Sequence, residues 1–109
     1  MISASLGRTG VRLAVAAMLS LYLGVAHAEE SKVTIDNFTF SPAELKVKVG
    51  DTVTWTNHDD IPHTVVSAGK FRSKAMDTDG TFSFTFTMAG EYKYFCSLHP
   101  HMTGTIQVE

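Results

Sequence analysis

From about residue 44 onward, apolar residues recur at every second position. In "ELKVKVG" Leu45, Val47 and Val49 alternate with Lys46 and Lys48. In "DTVTWTN" Val53 and Trp55 alternate with Thr52, Thr54 and Thr56. "TFSFTFT" sets Phe82, Phe84 and Phe86 against Thr81, Ser83, Thr85 and Thr87. "EYKYFC" puts Tyr92, Tyr94 and Cys96 on one face, and "TGTIQVE" turns Ile106 and Val108 inward. A period of two predicts half-buried strands. Turn residues separate the runs at Gly50-Asp51, Asn57 to Asp60, Asp79-Gly80 and Ala89-Gly90. Short strands with a single apolar face predict an all-β domain, a sandwich or a small barrel. The stretch from Ser67 to Gly80 breaks the rhythm and reads as a loop carrying a short strand around Phe71.

The first 28 residues follow another pattern. Arg8 and Arg12 precede an apolar run from Leu13 to Val25, and Ala26-His27-Ala28 ends it with a small-x-small site before charged residues. This is the pattern of a cleaved secretory signal peptide, with a run too short to span a bilayer comfortably. It predicts residues 1–28 as signal peptide, residues 29–109 as one exported domain, and a processed form that is not membrane-anchored. Beyond residue 28 the chain keeps all eleven Asp/Glu but, with Arg8 and Arg12 set aside, seven of the nine Lys/Arg. Without a basic stripe it does not read as a nucleic-acid binder. The acidic residues, Asp59-Asp60 included, read as solvated surface. Lys70, Arg72 and Lys74 alternate on a loop or edge strand, where cations either meet an acidic partner or, the preferred reading, discourage edge-to-edge pairing.

A domain this small gains from a second source of stability, which exported proteins commonly find in disulfides. A single cysteine, Cys96, excludes any internal disulfide. A metal would both hold the thiol and brace the fold. Cys96 ends an inward-facing strand, and His99 and Met102 follow at intervals of three on the connection to the last strand. Pro100 stiffens that connection. Thiolate, imidazole and thioether form a soft donor set that suits copper. Zinc is the rival metal, but it rarely takes a thioether. A trigonal copper site needs a second imidazole. His63, in "IPHTVV", is the candidate, placed at the start of a strand that reaches the same pole.

These motifs resemble those of the type 1 blue-copper proteins, the cupredoxins. They are closest to the amicyanin branch, with the pseudoazurins and plastocyanins behind it. The resemblance lies in "VTWTNHDDIPHTVV", "TFSFTFTMAGEYKYFC" and "YKYFCSLHPHMTGTIQVE" and covers residues 32–109. It implies a Greek-key β-sandwich holding one copper that cycles between Cu(I) and Cu(II). It implies His63, Cys96 and His99 as equatorial ligands and Met102 as the weak axial one. It further implies a monomeric, periplasmic electron carrier rather than an enzyme. The partners it implies are redox proteins, a quinoprotein amine dehydrogenase and a c-type cytochrome, met at the exposed edge of His99. Two departures stand out. Thr64 replaces the asparagine that commonly follows the mid-chain ligand and ties the ligand loops together, so its hydroxyl must do this work or leave it to other groups. His101 replaces an apolar aromatic, and it reads as a surface residue or part of the docking face. The alternative function is a periplasmic copper carrier or chaperone. Such proteins use open methionine- and histidine-rich sites, whereas Met76, Met88 and Met102 are scattered.

Overall fold

The computed structural model describes residues 28–109, and the expected leader, residues 1–28, lies outside them but for Ala28. The described residues form nine strands: β1 (Glu30–Asp36), β2 (Thr39–Ser41), β3 (Glu44–Val47), β4 (Thr52–Asn57), β5 (Val66–Ser67), β6 (Phe71–Arg72), β7 (Thr81–Thr85), β8 (Gly90–Phe95) and β9 (Thr103–Val108). They make two sheets, ordered β2-β1-β4-β7 and β3-β9-β8-β5-β6. The chain passes repeatedly from one sheet to the other, which gives the all-β Greek-key sandwich. Among the described residues no helix is long and apolar enough to cross a membrane.

The alternation in β4 shows how the pattern becomes a sandwich. Val53 and Trp55 are fully buried between the sheets. The threonines on the other face meet hydroxyls of β7, Thr52 with Thr85 and Thr54 with Ser83, each pair at 2.7 Å. Trp55 packs against Phe71, Phe82 and Tyr94, with ring centroids 5.4–5.7 Å apart. Each fully buried side chain of this kind contributes roughly 1.5–3 kcal/mol. Gly104 of β9 pairs with Tyr94 of β8, and a Cβ there would overlap the Tyr94 ring. The close approach explains a glycine inside a strand.

The sheet pairing also places the functional end. Cys96 directly follows β8 and Met102 directly precedes β9, so the loop between them closes a hairpin at one pole. β5 pairs with β8 through Val66 and Phe95 and so brings the His63 segment to the same pole.

Several expectations change. The period-two pattern did not announce β1 and β2. β1 runs parallel to β4 and antiparallel to β2. Val49 lies past the end of β3 and is about half exposed. Phe86 lies past β7 but is fully buried. His63 does not open a strand. It forms an isolated bridge with Met76, and β5 starts three residues later. Arg72 is on an edge strand, as the alternation of cations suggested.

Candidate metal centre

The loop from Cys96 to Met102 is held by its own backbone. The Cys96 N–H donates to the Met102 carbonyl (3.1 Å), the His99 N–H to the Cys96 carbonyl (3.2 Å) and the Met102 N–H to the His99 carbonyl (2.9 Å). The loop is therefore a compact turn that returns Met102 beside Cys96. Both side chains are buried, while His99 is half-buried.

His63 comes from the β4–β5 connection, and its backbone is fixed by two hydrogen bonds with Met76. Its ring is fully buried. His63 Nδ1, Cys96 Sγ and His99 Nδ1 converge. Each ring nitrogen is 3.7 Å from the sulfur, and the two nitrogens are 3.2 Å apart. Of the residues anticipated as ligands, the structure brings these three together and places Met102 at the base of the same loop. His101 is exposed and takes no part in these contacts.

This donor set fits a metal. The point equidistant from the three atoms lies about 2.1 Å from each, against roughly 2.0–2.3 Å for imidazole and thiolate bonds to a first-row metal. The tautomer of His63 agrees. Its Nε2 lies 2.7 Å from Asp59 Oδ2. A carboxylate only accepts, so the proton is assigned to Nε2 and the Nδ1 lone pair is left facing Cys96 and His99. The His63 lone pair, the His99 ring nitrogen and the buried sulfur converge closely enough to share one cation. A soft thiolate with two imidazoles, and a thioether in the same loop, favours copper over zinc.

The thiol is prepared for this. Burial opposes its ionisation. Against that, the Thr64 N–H, the His99 ring and the Thr64 hydroxyl favour the thiolate, so the Cys96 pKa lies below its ordinary value. The Thr64 N–H donates to Sγ at 3.3 Å and its hydroxyl lies 3.7 Å from it. The same hydroxyl accepts from the Ser97 N–H (2.7 Å) and pairs with the Ser97 hydroxyl (2.8 Å). Thr64 thus ties the two ligand segments together. Thr64→Val keeps the shape and the N–H bond to the sulfur but removes the bonds of the hydroxyl. It should destabilise the metal-free domain by about 1–2 kcal/mol, read as a lower urea midpoint with unchanged slope.

The sequence pattern missed Asp59. Its carboxylate holds a buried histidine and is only 12% exposed, so it is not solvated surface. The Phe38 N–H, the His63 ring and the Asn37 N–H hold its carboxyl below the usual carboxylate range, although burial pulls the other way. Asp51 is also buried, at the opposite pole, where it accepts from the Glu29 and Lys48 N–H groups.

Comparison with known proteins agrees with this geometry. Residues 27–109 match the family model of copper-binding proteins of the plastocyanin/azurin family. The chain is 40% identical to amicyanin of Paracoccus denitrificans over 83 residues, an alignment covering 71% of this chain and 63% of that protein. It is 34% identical to amicyanin-alpha of Methylorubrum extorquens over 90 residues, covering 77% and 76%. Among solved structures, a methionine-to-alanine variant of amicyanin in the Cu(I) state superposes with a TM-score of 0.70 at 37% identity, covering 80% of this chain and 88% of that one. A purple cupredoxin from Nitrosopumilus maritimus gives 0.70 at 34% identity, covering 72% and 99%.

Proposed function

The chain belongs to the plastocyanin/azurin family of copper-binding proteins, and from that premise we propose that it carries single electrons between redox partners. Its cofactor is copper, which supplies a one-electron Cu(I)/Cu(II) couple when bound. His63, Cys96 and His99 would hold it, with Met102 as a fourth, weaker donor. The convergence of two imidazole nitrogens on a buried thiol carries this reading.

The chain's own residues make the centre suited to electrons rather than substrates. Cys96 and His63 are fully buried, so water and small molecules are kept from the donors. The Thr64–Ser97 contacts and the hydrogen-bonded loop fix the ligand positions, so little rearrangement accompanies a change of charge. With Met102 as a fourth donor these side chains would leave a bound copper no position for substrate, in keeping with a family of electron carriers rather than enzymes. His99 alone of the close ligands is part exposed, with Leu98 beside it in sequence and the half-exposed Phe38 ring 5.1 Å away. This apolar surround makes the His99 edge the face a partner would meet.

Resemblance to the amicyanins supports the finer choices. These are a quinoprotein amine dehydrogenase as donor, a c-type cytochrome as acceptor, and a periplasmic location reached through the leader over residues 1–28. A copper carrier is the alternative, and full burial of the thiol speaks against it. The two functions separate by experiment. For the electron carrier, NMR lines of mixed Cu(I) and Cu(II) protein should broaden through fast self-exchange while a competing Cu(I) chelator removes copper slowly. Rapid loss of copper to the chelator with no self-exchange would mark the carrier.

A further inference from the structure

We propose that Asp59 is a positioning residue of this centre, one carboxylate that orients the His63 imidazole and seats Phe38 against the rings of both His63 and His99. The inference rests on reading His63 and His99 as copper ligands. Asp59 Oδ2 lies 2.7 Å from His63 Nε2 and accepts from the Phe38 N–H at 2.9 Å, while Oδ1 accepts from the Asn37 N–H at 2.6 Å. Asn37 and Phe38 both have left-handed backbones, at φ 52° and 56°. Neither is glycine, and this conformation is uncommon for them. Two successive N–H groups in such a turn form a concave donor pair for an anion. Here the anion is a side chain of the same molecule, and its hydrogen bonds offset the backbone strain.

The turn carries Phe38 to the site. Its ring stands edge-on to His63 (centroids 5.3 Å, 81°) and to His99 (5.1 Å, 84°). Asp59 itself cannot drift. Its N–H donates to Asn57 Oδ1 (2.9 Å) and its carbonyl accepts from the Thr78 hydroxyl (2.6 Å). Among the described residues its one ion-pair partner is His63, so no lysine or arginine diverts the carboxylate's charge. A carboxylate on the far nitrogen of a ligating imidazole fixes its tautomer and raises its basicity. A more basic ligand favours Cu(II) over Cu(I) and lowers the potential.

Asp59→Asn keeps the shape and removes the charge. In the copper-loaded protein the ratio of Cu(II) to Cu(I) affinity should fall about tenfold, a potential rise of about 59 mV for one electron. Asp59→Glu restores the charge and should return most of the shift. A second readout does not depend on electron transfer. In the Cu(I) protein the His63 Nε2–H should give a slowly exchanging proton signal, and in Asp59→Asn that signal should exchange faster while the Phe38 ring resonances move. If Asp59→Asn fails to fold, the potential and Nε2–H signal of Asp59→Glu decide, and retention of both near wild type supports the inference. A potential within threefold of wild type in affinity ratio, with the Nε2–H still protected in Asp59→Asn, would overturn it. Wild-type protein that forms no blue centre would instead defeat the electron-transfer reading.

Discussion

Cys96→Ser should leave a folded sandwich that no longer turns blue with Cu(II) and binds it at least about 100-fold more weakly. The fold should survive because serine is smaller and of nearly the same shape, and the core around Tyr94, Trp55 and Phe40 is untouched. Binding should not survive. A hydroxyl stays protonated at neutral pH and offers a hard oxygen where a soft thiolate stood. Changes to groups that merely support a ligand already cost 10–100-fold, so loss of the ligand itself should cost more. The intense visible band comes from charge transfer between thiolate and Cu(II), and oxygen cannot supply it. Titration with Cu(II), followed by absorbance and calorimetry, reads both effects. A variant that stayed blue would remove Cys96 from the centre.

The second large effect is on stability. Asn57→Ala should destabilise the domain by about 3 kcal/mol, lowering Tm by more than about 10 °C for a domain of this size. Asn57 ends β4 and is fully buried. Its Nδ2 donates to the carbonyls of Ile61 (2.9 Å) and Met76 (2.8 Å), and its Oδ1 accepts from the Asp59 N–H (2.9 Å). Its backbone also bonds to Gly80 and Asp79. Alanine deletes three side-chain bonds and leaves buried polar groups unpaired, which costs more than the bonds contributed net. Because Asn57 anchors both Asp59 and the Met76 segment that bridges to His63, copper affinity should fall as well. Thermal unfolding of the metal-free protein separates the first effect from the second. A change below about 1 kcal/mol would mean that water replaces the amide.

What could be read from the sequence depended on how local each feature is. β4, β8 and β9 declared themselves because one sheet face is buried and the other is hydroxylic or charged. Cys96, His99 and Met102 were legible because a seven-residue loop carries all three and its spacing is chemical rather than structural. His63 is legible as a candidate by its residue type and its place after Pro62, but its local structure is not. The β-branched run after it suggested a strand start. In the fold the Thr64 N–H is spent on the Cys96 sulfur and cannot join a ladder, so pairing resumes only at Val66. Thr64 itself was identified as the residue that had to replace an asparagine, and its hydroxyl does bridge to Ser97. Asp59 was invisible for a different reason. Its backbone donors lie 21 and 22 residues upstream, on a turn whose left-handed φ values no sequence period encodes. Beside Asp60 in a polar turn it looks like solvent-facing charge. Only the parallel register of β1 with β4, which sets Ile35 opposite Asn57, brings that turn within reach.

The central claim is that His63, Cys96, His99 and Met102 form one type 1 copper centre. Visible and EPR spectra of the refolded domain, residues 29–109, after addition of one equivalent of Cu(II) test it most directly. The account predicts an intense blue band and the narrow parallel hyperfine splitting of a copper bound covalently to thiolate. A pale solution with the wide splitting of ordinary tetragonal Cu(II), or a colourless Cu(I) complex with the thiol oxidised, would contradict it.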